Sequence, residues 1–219
     1  MADMIESANE VGDATTGIVK AMSVFDIEKR YEQIGNVIFM MAPPSVNHEA
    51  IIAEVFAQLH NYLEGKPCRV FGSNLGVDLK DFVPAIKEMP SFKTYFKKSI
   101  EKGNRDEVYF LPDVIVLCDI DKSNFSSHGY RGVPKMLVEV ASPSTMDRDF
   151  DEKKSLYEAI GVSEYWVVSD ARNVTVYALQ EGAFVKTKYE AEDEETVLDV
   201  PVSVFPGLAV RFDKDRLEF

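Results

Sequence analysis

Almost none of the short motifs by which a sequence announces its chemistry occur in this 219-residue chain. There is no glycine-rich phosphate loop, no nucleophile elbow and no pair of histidines at metal-binding spacing. These absences set aside P-loop nucleotidases, α/β-type serine hydrolases and zinc proteases. Cysteine is scarce: Cys68 and Cys118 are the only two, with apolar neighbours and no metal-type spacing. That pattern predicts two free core thiols, each a small hydrophobe in a reducing cytoplasm. No stretch approaches the ~20 apolar residues of a membrane span, so no membrane partner is expected. The acidic start, Met1–Val11, does not read as a signal peptide, and the expected location is cytoplasmic. Internal repeats and low-complexity tracts are missing as well. Positive charge is in deficit, with 24 Lys and Arg against 37 Asp and Glu for a net charge of −13. Such a balance argues against a protein that coats nucleic acid nonspecifically.

What remains is the composition of an ordinary soluble protein, 46% hydrophobic and 28% charged. The length suits one α/β domain with a full core. Residues 1–20 are small and polar, without a clear period, and predict a flexible leader. Residues 21–219 are then a single domain. Charge is unevenly spread: residues 80–105 carry seven basic side chains against three acidic, net +4, leaving −17 for the rest. Within 81–109, Phe92, Tyr95, Phe96 and Ile100 fall at helical spacing between two strands that a short turn could join. This segment reads as an insertion, a surface flap in preference to a DNA clamp. Glu190–Glu195 reads as solvated surface.

The remaining elements follow from pattern. Gly35-Asn36, between Glu32-Gln-Ile and Val-Ile-Phe-Met-Met, predicts a hairpin with Glu32 on its first strand. Ala42-Pro-Pro-Ser45 ends a strand and caps a helix over 46–63, with Ile51, Ile52, Val55, Leu59 and Tyr62 on one face. His48 falls at the centre of that stripe, as a core or helix-end hydrogen-bonder or as a group approaching a site. Glu49, a quarter-turn away, could reach the same mouth. Strands are expected at 68–71, 75–79, 112–118, 136–141 and 163–170. A hairpin follows over 173–179 and 183–188, then a closing strand or cap over 197–219. Trp166 reads as core.

Two of these strands hold an acid where an apolar residue belongs. Pro112–Cys118 contains Asp113, and Met136–Ala141 contains Glu139, in runs that otherwise read as buried on both faces. After Pro143, Ser144 can cap a helix whose apolar stripe is Phe150, Leu156, Tyr157 and Ile160. Lys153 lies near the centre of that stripe, whereas Lys154 lies at its edge. Buried charge is unfavourable unless paired or coordinated. The structural alternative makes Asp113 a turn residue and Glu139 a simple partner of Lys153. The chemical reading brings all three together at a divalent metal.

At these residues the chain resembles the Uma2 family (DUF820) of restriction-type endonucleases, over about residues 31–185. The resemblance rests on Met-Ala-Pro-Pro-Ser-x-x-His48, Pro112-Asp113-Val and Val-Glu139-Val-x-Ser-Pro-Ser-Thr145. It continues through Asp149-x-x-x-Lys153-x-x-x-Tyr157, Gly161-Val and Glu164-Tyr-Trp166. It implies an α/β (α+β) restriction-endonuclease-like PD-(D/E)XK fold, a mixed central β-sheet flanked by helices with a metal site at strand ends. It further implies a metal-dependent endonuclease acting on nucleic acid, DNA in the first instance. Asp113, Glu139 and the backbone carbonyl of Val140 would hold Mg²⁺ or Mn²⁺. Lys153 would orient or activate water, with His48 assisting. The motif's usual lysine is replaced by Ala141, and the resemblance implies that Lys153, from the next helix, substitutes. A homodimer is the oligomeric state expected for an enzyme that cuts both strands. The alternatives are a catalytically inactive nuclease-fold binding module and a metal-dependent hydrolase of some other substrate.

Overall fold

The computed structural model describes residues 30–35, 37–99, 107–127, 129–192 and 194–219. The expected leader, 1–20, and Asn36 of the first hairpin lie outside them. The described strands are β1 (Tyr31–Ile34), β2 (Val37–Met40), β3 (Arg69–Gly72), β4 (Val77–Asp78), β5 (Val108–Phe110), β6 (Val114–Leu117) and β7 (Phe125–Ser126). They continue with β8 (Gly129–Tyr130), β9 (Met136–Val140), β10 (Glu164–Asp170), β11 (Asn173–Gln180), β12 (Ala183–Glu190), β13 (Val197–Pro201) and β14 (Ala209–Asp213).

The main sheet has the order β12-β11-β10-β9-β6-β3 and is mixed, with β9 and β10 parallel and the other pairs antiparallel. Its central strands β6 and β9 are buried at every residue, as their continuous apolar runs require. Helix α1 (Val46–Leu63) covers one face with Ile51, Ile52, Val55 and Leu59, joined there by the hairpin β13–β14. Ser45 caps α1 by accepting the His48 N–H at 3.2 Å. The opposite face carries Ile115, Leu117, Leu137, Tyr165 and Val167, and packs against a second layer. Each fully buried Val or Leu in these clusters contributes about 1.5–3 kcal/mol, so the two faces together define the domain.

The expected fold class is therefore present, with an addition. The second layer is itself a six-stranded sheet, β2-β1-β5-β4-β8-β7. The segment at 81–109 departs from a surface flap. It lies between β4 and β5, which pair antiparallel, and β5 supplies its last residues. Val83 and Ile86 of its short helix α2 (Val83–Glu88), Phe92 of the turn that follows and Phe96 of α3 (Lys93–Ser99) are buried in the same cluster as Ile34, Val77 and Phe110. Apolar anchors at helical spacing make it part of the core. Residues 100–106, with Ile100, Lys102 and Arg105, lie outside the described residues.

The cysteines depart from expectation too. Cys68 and Cys118 form a disulfide across 50 residues of sequence. The β3–β6 register explains it, because Arg69 pairs with Leu117 and the next residues outward are these two. With the thiols paired, the argument from free cysteine to a reducing cytoplasm lapses. No helix among the described residues is long and apolar enough to cross a membrane.

Candidate functional site

The chain passes from the second sheet to the main one through Leu111-Pro112-Asp113, between β5 and β6. Pro112 donates no ladder hydrogen bond, so pairing is interrupted there and the chain can turn. Asp113 follows at the corner, 3% exposed. The β6–β9 register pairs Val114 with Val138, which puts Asp113 opposite Glu139 at the next position. The Asp113 Oδ2 accepts the Val140 N–H at 2.8 Å. Glu139, 4% exposed, shares its side of β9 with Leu137 and faces the second layer.

The amine comes from the segment after β9. Its start is held by Ser142 and Thr145, the Ser142 N–H donating to the Thr145 Oγ1 at 3.0 Å. Ser144, expected as the cap, instead meets the Ser142 hydroxyl. Arg148–Lys153 is a π-helical stretch that runs into α4 (Lys154–Ala159). Such widened turns are rare and concentrate at functional sites. Lys153, 3% exposed, points inward. Its Nζ lies 2.8 Å from Glu32 Oε1, 2.9 Å from Glu139 Oε1 and 3.3 Å from Asp149 Oδ1. The Tyr157 hydroxyl donates to the same Glu139 oxygen at 3.2 Å. Lys154, by contrast, reaches outward to Glu158.

His48 arrives from the first turn of α1, with its Nε2 3.4 Å from Asp113 Oδ2. Burial works against the imidazolium, but the hydrogen bond and charge of Asp113, the charge of Glu49 and the Val140 backbone outweigh it. The His48 pKa is raised above 6.5 in consequence. Its Nδ1 is buried with no hydrogen-bond partner among the described residues. Asp113, Glu139, Lys153, His48 and the backbone of Val140 are thus brought together. Glu49 contributes only its charge and otherwise lines a separate cleft beside Phe56 and Phe71.

Electrostatics sets this cluster apart. Burial raises the Glu139 pKa well above 4.5; Lys153 opposes that, while Asp149, Asp113 and Glu32 add to it. Asp149 is raised by burial against the same lysine. Burial would lower Lys153, yet Glu139, Glu32 and Asp149 together hold it well above 10.5, so it stays charged. The three carboxylates face two cations, Lys153 and the Arg148 that pairs with Glu32 at 3.1 Å. Fully ionised, that set keeps one excess negative charge.

Two members of the cluster escaped the sequence reading. Asp149 appeared only within a motif, and Glu32 looked like an ordinary strand residue. The available signal was phase: Glu32 is two residues before Ile34, which is fully buried, so the two share a face.

No group of three or more His, Cys, Asp or Glu side chains among the described residues is arranged as a metal site. The fit of a cation can still be judged from the donors. The Asp113 carboxylate pairs with His48 at 3.4 Å and accepts the Val140 N–H at 2.8 Å. Glu139 stands opposite Asp113 in register, turned toward Lys153. An all-oxygen set in a place already attended by cations fits a hard divalent ion in kind.

The Uma2 family model, described as "Putative restriction endonuclease", matches residues 21–211. A solved structure from Anabaena variabilis ATCC 29413, described as "a putative nuclease belonging to DUF820", matches with a TM-score of 0.58. That match covers 87% of this chain and 90% of the other at 18% identity, a likeness of fold. No curated protein matches the chain.

Proposed function

The chain belongs to the Uma2 family, and from that premise we propose that it is a metal-dependent endonuclease that hydrolyses phosphodiester bonds in DNA. The observation that carries this reading is the meeting of Asp113, Glu139 and buried Lys153 at one corner of the main sheet. Asp113, Glu139 and the carbonyl of Val140 would hold Mg²⁺ or Mn²⁺. Once bound, such an ion lowers the pKa of a water and offsets phosphate charge.

The chain's own groups do the rest. Lys153 is held charged and cannot serve as a base, so its part is that of a fixed cation that orients water or a phosphate oxygen. An ammonium has three N–H donors; the Lys153 amine hydrogen-bonds Glu139 at 2.9 Å and lies within ion-pair distance of Glu32 and Asp149. Asp149 lies at the longest distance, 3.3 Å, with no hydrogen bond to its Oδ1 among the described residues, so that side of the amine is the one a substrate oxygen would meet. His48, with a raised pKa beside Asp113, is placed to donate a proton or a hydrogen bond at the mouth. A cluster of buried charges adds little stability over apolar packing, which supports a chemical reason for keeping it.

A second reading has its own support. The pairing of Lys153 with three acids suits a nuclease-fold binding module whose ion cluster serves only structure. An assay with Mn²⁺ on plasmid and single-stranded DNA separates the two. The nuclease reading expects cleavage by the wild type and its loss in Asp113→Ala and Lys153→Ala. Cleavage that survives both substitutions overturns the assigned site. Thermal stabilisation by Mg²⁺ or Mn²⁺ is expected on the nuclease reading alone.

A further inference from the structure

We infer that Glu32, a residue outside the acid–acid–lysine motif, is a positioning residue that sets the Lys153 amine and the Asp113 corner in register. The inference rests on the nuclease reading of the cluster. Glu32 is contributed by β1, in a different sheet from Glu139, and is 2% exposed. One of its oxygens, Oε1, lies 2.8 Å from Lys153 Nζ and accepts the Leu111 N–H at 3.3 Å. The other, Oε2, meets Arg148 Nη1 at 3.1 Å. A single carboxylate therefore touches both basic residues of the π-helical stretch and the backbone two residues before Asp113.

The acids and the amine belong to separate elements. Asp113 sits on the crossing between sheets, Glu139 on β9 and Lys153 on the following helix. Glu139 can hold the amine from only one side. Asp149 travels on the same turn as Lys153 and cannot fix it against the sheet. Glu32 supplies the opposing hold from the second layer, and through Leu111 it fixes the corner in the same act. Arg148 completes the clamp, lying 3.7 Å from the Phe39 ring of β2 and pairing with Glu152 at 3.4 Å. The role of Glu32 is to hold Lys153, the group that on the nuclease reading would meet the reacting atoms.

The test uses Glu32→Gln, which keeps shape and removes charge, and Glu32→Asp, which keeps charge and shortens the reach. Three quantities are read on the full chain: kcat and KM for Mn²⁺-dependent cleavage of plasmid DNA, the Tm shift induced by Mn²⁺, and acetylation of Lys153 followed by mass spectrometry. A displacement of about 1 Å at a reacting group costs roughly a hundredfold in rate. Glu32→Gln is therefore expected to lower kcat about that much with little change in KM. The Mn²⁺-induced Tm shift should persist, because the metal-facing oxygens are untouched. Lys153 should become more readily acetylated, and Glu32→Asp should recover part of both losses. Wild-type kcat with Lys153 still protected in Glu32→Gln overturns the inference. So does a loss of activity that merely follows the unfolded fraction. If the wild type cuts no DNA, the nuclease reading fails alone, and Lys153 acetylation still decides whether Glu32 holds the amine.

Discussion

Two neighbouring strands of the main sheet each bury a glutamate, on opposite faces, and the two are satisfied in different ways. Glu164 of β10 is fully buried and shares its side with Trp166. It accepts the Trp166 Nε1–H at 2.6 Å, the Ser203 hydroxyl at 2.6 Å and the Val204 N–H at 2.8 Å. Its partners are neutral donors fixed by local backbone, so it latches the segment before β14 to the sheet. Glu139 of β9 instead shares one mobile-stemmed cation with two other acids. The latch is complete, whereas the Lys153 cluster is left with surplus negative charge. Burial of an acid by itself does not distinguish structure from chemistry; the identity and sharing of its partners do.

The largest effect that could break this contrast is on activity. Asp113→Ala and Lys153→Ala should each lower Mn²⁺-dependent cleavage by about a hundredfold or more, measured as initial rates on plasmid DNA. Lys153→Ala also strands three buried carboxylates, so denaturant titration should show a loss of about 3–5 kcal/mol. Lys153→Met fills the cavity but strands the same three carboxylates, so it should be equally inactive and only partly recover stability over Lys153→Ala.

Substituting each glutamate by glutamine sharpens the comparison. Glu164→Gln turns an amide N–H toward fixed donors and should lower stability by about 1–3 kcal/mol. Its cleavage rate per folded molecule should stay near that of the wild type. Glu139→Gln should do the reverse, abolishing cleavage while changing stability little, since it relieves repulsion among the acids. Equal behaviour of the two variants would erase the distinction.

A third test uses pH. Glu139 and Asp149 have folded pKa values raised above 4.5 and 3.8. Their contribution to stability is fully present below those ordinary values and is lost as pH rises through the folded ones. The wild type should therefore lose stability relative to Glu139→Gln on going upward from the carboxylate range, read from denaturation midpoints at stepped pH. A difference that does not vary with pH would show that Glu139 is not strained by its neighbours. The smallest effect is expected at the edge of the network, where the Tyr95 hydroxyl donates to Glu152 at 2.5 Å. Tyr95→Phe should lower stability by about 1 kcal/mol and leave the cleavage rate within a few fold.

Much of this was legible before any coordinates. Continuous apolar runs located β6 and β9, and a capped stripe placed the helix at 46–63, where α1 stands. Lys153 pointed inward by helical phase even though its turn is widened, because the stripe partners Leu156 and Tyr157 lie beyond the widening. The rest depended on contacts remote in sequence. Glu32 is brought to Lys153 by packing of one sheet on another, which no local pattern encodes. The disulfide follows from a β3–β6 register that spacing alone does not reveal. The anchoring of 83–96 in the core was masked by its basic flanks, since charge and buried aromatics alternate on the same short helices.

The widened turn at Arg148–Lys153 carries a consequence for how this lineage can drift. Each helical residue advances the direction of its side chain by about 100°, so deleting one residue there would restore a regular coil and swing the amine out of its cage. Insertions and deletions that surface loops absorb without penalty should be fatal to cleavage across these six positions. Tolerance to a change in length would then map this corner of the fold as sharply as any change of letter.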